Sequence, residues 1–599
     1  MFNKGNILRA ASVLTAFLLL TTIHASSGTY ELPAHTFASG VFSNRVMVND
    51  DKTNDQSVPV IVATPDGNML VVWQDGRTGS FGNEDIYATR FSINGTKIGP
   101  NVRVDDSVRF SRQVEPAVAV SANGTILVAW QDFRASDYNC DIYFAESYDG
   151  GATFTKNVRA DDSYGENWWQ ERPSIAATWG GGIYIAWTDD RAGVGQLRVR
   201  GAYSTDGGAT FSLSKEIVQD GVVSGQCQVS LVSNGNRLFA AFMDNVTGIS
   251  HPYVCISTNG GKSFGAPIRL DNTGTPGSAQ SSVAIAPMPG GGIVAAWEDL
   301  RNGNWDVYAC IMNFHGVITT PDLRVDDDTT GAYQNDICIA ADQLGNVYAS
   351  WQDERLDTFG IRFAFMPAGE LAFNSSIDVD PPGQLDMQRR PSIVIPQPGR
   401  VSVVWQDDRA GTYDVYFSSA YFAELFSLSL PKGWSFLVIP STGYSYTAST
   451  LGLKTGDLVS RWNSTTRSYD RTFIVGISPI VLDFPLESST GYWVFTSAHE
   501  SLNLKGNIPT AKQFKSIVVP QGGGWVSVGF ASLNTSRRAS DLPSMLDNKT
   551  SIKLVTCYDP IAGSYQLYIA GAPSTDFQLV PGRGIWCYSA TNGTLSYDP

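Results

Sequence analysis

The stretch VAWQDFR, Val128 to Arg134, sets an apolar run directly against an amide, a carboxylate and a guanidinium. Alone it reads as chemistry waiting at the end of a strand, but it has six relatives. They are VVWQDGR ending at Arg77, IAWTDDR at Arg191, AAFMDNV at Val246, AAWEDLR at Arg301, ASWQDER at Arg355 and VVWQDDR at Arg409. The aromatic position falls at Trp73, Trp130, Trp187, Phe242, Trp297, Trp351 and Trp405, spaced by 57, 57, 55, 55, 54 and 54 residues. Self-similarity at a fixed period of this length marks a repeat architecture.

Each unit reads alike: a Pro-led run such as PAVAV, a Gly turn, the run into WQD, a polar loop, an Asp-Ile-Tyr run such as DIYFAES, a Gly-rich turn, and RVDD or NVRADD. Four short β-branched and aromatic runs bounded by turn residues are four strands, with no helical period anywhere. A four-stranded unit repeated seven times predicts a seven-bladed β-propeller over residues 41–422. The last unit has three strands, near Ser392–Ile395, Val401–Gln406 and Asp414–Ala420, and lacks a fourth. NRVMVNDD, Asn44 to Asp51, is a fourth-strand sequence ahead of the first complete unit. It is predicted to pair into the last blade and remove a free edge.

At 599 residues the chain exceeds one ordinary core. Its 43% hydrophobic and 17% charged composition, with 58 Gly and 29 Pro, fits a turn-rich β protein and excludes general disorder. A net charge of -15 argues against a nucleic-acid partner, which needs a basic face. Residues 1–25 carry Lys4 and Arg9, then an apolar run from Ala10 to Ile23, then small residues. That is the pattern of a secretory signal peptide, with a secreted or cell-surface location and no membrane span after cleavage. Seven Cys are too few for a disulfide-built fold, though an oxidising compartment permits bridges, with Cys557–Cys587 the first candidate. Eight Asn-x-Ser/Thr sequons, among them Asn94, Asn245 and Asn463, fit a secreted glycoprotein.

The third-to-fourth-strand turns read SYDGGATF (Ser147–Phe154), STDGGATF (Ser204–Phe211) and STNGGKSF (Ser257–Phe264). They resemble the Asp-box, or bacterial neuraminidase repeat, of sialidase-like propellers, with Phe in place of the usual Trp and Asn259 in place of Asp. Ser147, Asp149, Gly151, Ser204, Asp206 and Gly208 are the box positions. The resemblance implies a blade-folding turn on the face away from the active site. It also implies an arginine triad, a Tyr nucleophile paired with Glu and an Asp acid/base on six blades. The family's early Phe-Arg-Ile-Pro motif is absent and seven units are present, so no catalytic residue transfers by position.

A catalytic group is needed once, a scaffold contact once per unit. The recurrent pairs Asp75 and Arg77, Asp132 and Arg134, Asp189 and Arg191, Asp299 and Arg301, Asp353 and Arg355, and Asp407 and Arg409 are therefore read as loop-fixing, with Asp244 alone in the fourth unit. Blade-specific function belongs where the units differ. In DDSYGENWWQERP, Trp168 and Trp169 sit with Tyr164, Glu166, Glu171 and Arg172, a composition suited to sugar stacking. Arg109, Arg112 and Glu115 in DDSVRFSRQVEP, and Arg389 and Arg390 in DMQRRP, are candidates for an anionic ligand in the central region. The Asp pairs at Asp105, Asp161 and Asp326 raise a structural calcium, but no loop has EF-hand spacing, and five scattered His do not make a zinc site. No cofactor is expected.

Beyond Phe426 a second duplication begins. DFPLESSTGYW (Asp483–Trp493) matches DFQLVPGRGIW (Asp576–Trp586), and LPKGWSFLVIP matches VPQGGGWVSVG upstream. This predicts two tandem small β-sandwich or barrel domains, 426–508 and 512–599, which resemble paired accessory modules of secreted microbial proteins. Three functions follow as expectations: a non-catalytic glycan- or protein-binding adhesion protein, an exo-acting hydrolase of sialidase type, or a structural surface-layer component.

Overall fold

The computed structural model describes residues 35–37, most of 42–506, and 513–515, 524–529, 538–540, 552–559, 564–570, 576, 584–589 and 595–597. Within 42–506 there are gaps at 80–81, 109, 137–138, 164–167, 194–195, 220–223, 272–277, 381–385, 439–445, 464–467, 479–481 and 487–490, and at single positions. The N-terminal stretch read as a signal peptide lies outside the described residues, as do Arg109, Tyr164 and Glu166. No helix among the described residues is long and apolar enough to cross a membrane. The chain is all-β and divides into two compact units, Gly40–Tyr421 and Met1–Ser39 with Phe422–Pro599.

Among the described residues the first unit contains seven four-stranded antiparallel sheets. Six run in simple sequence order, as in Gln113–Val120, Ile126–Ser136, Asn139–Ser147 and Val158–Arg159. The seventh joins Gln388–Gln397, Arg400–Asp407 and Asp414–Tyr421 to the N-terminal Val46–Met47, which pairs with Phe417 and Tyr416. Second strands such as Ile183–Asp189 are buried at every position because both of their faces are covered. Alternation decides which side chain meets which sheet. Leu70 and Val72 share a core with Trp130 of the second sheet, whereas Val71 and Trp73 share one with Val404, Val415 and Phe417 of the seventh. The first and seventh sheets thus bury apolar surface against each other, and first strands contact in succession through all seven.

Every first strand opens on a buried Gln, at 56, 113, 170, 226, 280, 334 and 388. The third residue of each strand is left-handed: Val58, Glu115, Arg172, Gln228, Ser282, Asp336 and Arg390 have φ between 43° and 57°. The register with the second strand shifts at this point in all seven sheets, so each carries a β-bulge. Holding a non-glycine residue there costs on the order of 1 kcal/mol. The exposed amides are recovered by neighbouring sheets. Val58 N–H donates to Gln406 at 2.9 Å, Glu115 N–H to Gln74 at 3.2 Å, Ser282 N–H to Gln228 at 3.1 Å and Asp336 N–H to Glu298 at 2.7 Å. The strand predicted to start near Ser392 therefore starts at Gln388, because the chain bulges before the Pro and resumes pairing beyond it.

In the second unit the duplication is visible as repeated topology. Gly433–Val438, Gly491–Thr496, Leu458–Asn463 and Ser468–Ile474 form one sheet, and Gly524–Gly529, Gly584–Ser589, Ile552–Asp559 and Ser564–Ile569 form another in the same order. Asp483 accepts from Ser449 N–H at 3.1 Å and from its Oγ at 2.5 Å. Asp576 repeats both bonds with Ser540, at 2.9 and 2.8 Å. Phe436 and Trp586 stack at 5.4 Å. The expected Cys557–Cys587 bridge is not made: both residues are thiols. Cys557 stands opposite Ile585 and Cys587 opposite Val555, so the pair is diagonal, beyond ordinary disulfide reach.

Candidate functional site

Antiparallel alternation puts the start of every first strand and every second-to-third-strand loop at one end of the sheets. The recurrent Asp sits there as a junction. Asp132 is fully buried and accepts from Trp130 Nε1 (2.8 Å), Arg134 N–H (2.8 Å), Arg134 Nε (3.0 Å) and Arg134 Nη2 (2.8 Å). Asp75, Asp189, Asp299, Asp353 and Asp407 likewise accept an indole N–H, an arginine amide and a guanidinium. In the fourth sheet, where Phe242 and Val246 replace Trp and Arg, Gln226 Nε2 and Val246 N–H take over at Asp244, at 3.1 and 2.8 Å. The Arg outer edge reaches the next acidic loop, as in Arg134 to Asp106 at 2.7 Å. The six carboxylates that follow a Trp are buried and each is engaged by at least three donors.

The residues that break the repeat gather at the bulge. Glu115, Arg172, Asp336 and Arg390 occupy one structural position in four sheets, with Glu171 and Arg389 immediately before it. Arg390 Nη1 pairs with Glu115 Oε1 at 2.9 Å across 275 residues of sequence. The Asp336 carboxyl is pushed up by burial, against the pull of Arg390 and its N–H. Glu298, behind it, is pushed up to about 7, mainly by burial. Arg389 has a buried Nε without a bond and lies over Phe359 at 4.5 Å. Arg172 is exposed and, among the described residues, in no ion pair. It also opposes the upward push of burial on the Cys227 thiol.

Trp169 is 40% exposed and meets Phe133 edge-on at 5.8 Å. Arg112 lies over the same ring at 5.1 Å and pairs with Glu84 at 3.3 Å. Trp168 is half-buried beside the Arg191 guanidinium, at 5.4 Å. Tyr333 and Met387, which hold the position of Trp169 in the sixth and seventh sheets, are 47% and 40% exposed. In three sheets an exposed apolar residue therefore precedes the first strand, and in four a charged residue forms a tier at its bulge. Asp336, Gln228, Ser282 and Glu298 escape a reading centred on the Trp motif. Gln recurring 17 residues before the aromatic in six of seven units is the signal that finds the tier.

The Gly-rich turns lie at the other end. Ser147 Oγ donates to Asp149 at 2.8 Å and accepts from Gly151 N–H at 2.8 Å; Ser204, Asp206 and Gly208 repeat this at 2.7 and 2.9 Å. Gly151 and Gly208 have φ of 91° and 79°, and a Cβ there would collide with Leu70 and Phe144 of the preceding sheet. The acidic pairs raised as calcium ligands are engaged within the protein: Arg103 bridges Asp85 and Asp105, Arg159 bridges Asp141 and Asp161, and Arg324 bridges Asp306 and Asp326. No group of three or more His, Cys, Asp or Glu among the described residues is arranged to hold a metal.

No family model matches the chain, and no curated protein matches it. Solved structures with a similar fold include a protein of unknown function from Dyadobacter fermentans DSM 18053, at 14% identity and a TM-score of 0.43, covering 64% of this chain and 99% of that one. Another is the GH93 alpha-L-arabinofuranosidase of Fusarium graminearum, at 14% identity and a TM-score of 0.40, with 53% and 95% covered. A third is the Hadza microbial sialidase Hz136, at 14% identity and a TM-score of 0.35, with 59% and 76% covered.

Proposed function

We propose that Gly40–Tyr421 is a closed seven-bladed propeller of sialidase-like type, exported from the cell and binding a glycan or protein ligand without turning it over. The two C-terminal repeats are accessory β domains on this reading, and the Ser-x-Asp-Gly-Gly turns are Asp-boxes. The observation that supports it best is the inner tier at the bulge. Seven sheets bring one residue each to the same position, and there Glu115 and Arg390 neutralise each other while Arg172 remains exposed. Just ahead of the strand that carries Arg172, Trp169 supplies a flat apolar face, and Glu171 within it an acceptor. An exposed guanidinium, a carboxylate and an indole suit a hydroxylated ligand with a polar and an apolar face. No cofactor enters the reading.

A second reading, an exo-acting glycoside hydrolase, draws on Asp336 and Glu298, two carboxyls with raised proton affinity joined through the Asp336 N–H bond. General acid catalysis needs such a group, but Glu298 is only 6% exposed. A glycan array on the secreted chain, with a fluorogenic sialoside assay beside it, decides between them. Binding lost in Arg172→Ala and Trp169→Ala without turnover supports the binding protein. Turnover abolished by Asp336→Asn supports the hydrolase. Self-assembly without glycan affinity overturns both in favour of a surface-layer component.

A further inference from the structure

A cavity of about 510 Å³ opens at the opposite end of the sheets, between turns of the fourth and fifth. Asn236, Arg237, Thr258, Gly290, Gly291 and Phe314 line it. The size is ordinary for a small-ligand site. Its walls are fixed by side-chain bonds. Asn234 Nδ2 donates to the carbonyls of Met288 (2.8 Å) and Gly292 (2.9 Å), clamping the two sheets' turns together. Arg237 donates to the carbonyl of Phe314 and places its guanidinium 5.3 Å from that ring.

The third sheet joins from the other side. In the first and second sheets the turn between first and second strands closes on itself through Asp66 and Asn123. In the third, Gly180 stands at that place and its N–H donates instead to Asn236 Oδ1 at 2.8 Å, while Trp179 N–H donates to the Gly235 carbonyl at 3.1 Å. Trp179, 75% exposed, is thus bonded through its backbone to the residue next to the cavity-lining Asn236, and Phe314 is 40% exposed in the cavity wall. Fold stability does not call for an exposed indole here, and rigid exposed aromatics are what ligand surfaces use. The lining has one charge, a guanidinium, and no carboxylate, in a chain with 57 acidic and 42 basic residues.

We propose that this cavity is a second saccharide site, separate from the Arg172 end, taking one pyranose residue. The part of the Phe314 ring left open by Arg237 and by His315, whose ring centroid lies 3.6 Å away, contacts the apolar face of the sugar. Arg237, Asn236 and Thr258 bond its hydroxyl or carboxylate oxygens, and Trp179 flanks the adjoining residue of a longer chain. The test is saturation-transfer NMR on the full chain with methyl glucoside, methyl galactoside, methyl mannoside and methyl glucuronide, repeated on Arg172→Ala so that the second end is read alone. The expected result is transfer from at least one glycoside in the Arg172→Ala protein, with affinity at least tenfold weaker in Arg172→Ala combined with Phe314→Ala or with the near-isosteric Thr258→Val. A preference for the glucuronide assigns a carboxylate to Arg237; equal transfer assigns hydroxyl recognition. The proposal is overturned if Arg172→Ala abolishes all transfer, or if both cavity substitutions leave transfer unchanged. The latter two results separate failure here from failure at the Arg172 end.

Discussion

Asp132→Ala is the sharpest probe of the recurrent acidic residue. The wild-type carboxylate accepts four bonds at 2.8 to 3.0 Å in a site without solvent access. Truncation strands the Trp130 indole N–H and the Arg134 amide N–H, each costing about 1–3 kcal/mol when buried. The guanidinium keeps Asp106 at 2.7 Å and Asn157 at 2.8 Å, so the charge itself is not orphaned. The two stranded donors together cost about 2–6 kcal/mol. Asp244→Ala is the built-in control: it serves no cation, and because Val246 is 41% exposed its amide regains water, so only the buried Gln226 amide is stranded, at about 1–3 kcal/mol. Urea unfolding followed by Trp fluorescence measures the gap. With a slope of about 3 kcal/mol per M, a 2 kcal/mol difference separates the two midpoints by about 0.7 M. Equal midpoints for the two variants refute the junction argument, and so does an Asp132→Ala protein that keeps its midpoint while losing ligand binding.

Three further outcomes are expected. Burial first, then the neighbouring Asp105 and Asp161 carboxylates, push Asp85 and Asp141 up to about 7, so the folded state holds protons that the unfolded chain releases near 3.8. Their contribution is therefore fully present below about pH 4 and lost as pH rises through 7, and unfolding scans should show stability falling from pH 5 to 8, with a shallower fall in Asp85→Asn. Asp149 and Asp327 work the other way: their hydrogen bonds outweigh burial and hold them at about 2, so their contribution disappears as pH drops from 4 to 2, and Asp327→Asn should flatten the acid limb of the same scans. Thiol titration in denaturant without reductant should count seven reactive groups per chain, and five would restore the Cys557–Cys587 bridge.

The sequence exposed the period and the second strand of each sheet because WQD carries the burial, the bend and the junction in three adjacent residues. It also exposed the pairing of Val46–Met47 with the seventh sheet, since a missing strand at one end and a spare at the other leave one solution. The bulge was hidden for a physical reason. Pro59, Pro116, Pro173 and Pro391 look like strand starts, whereas the strand begins three residues earlier at a buried Gln and turns left-handed just before the Pro. Charge pairing was hidden as well, because Glu115 meets Arg390 only once distant sheets come together. Arg112, which looks unpaired in sequence, is paired with Glu84, while Arg172 looks the same and makes no ion pair among the described residues.

The join of Val46–Met47 to the seventh sheet also sets an order of assembly. Ser43 bonds Ser418 across 375 residues, whereas each internal sheet closes within one repeat of about 57. By loop-closure scaling the long join costs about 1.7 kcal/mol more entropy than a single repeat, and it cannot form until residue 418 has left the ribosome. Until then the third strand of the seventh sheet has no outer neighbour and the first sheet has no seventh to lean on. Closure of the seventh sheet is therefore the last step, after the six internal sheets have closed locally. A circular permutant that places Val46–Met47 directly after Phe422 should refold faster than the natural order.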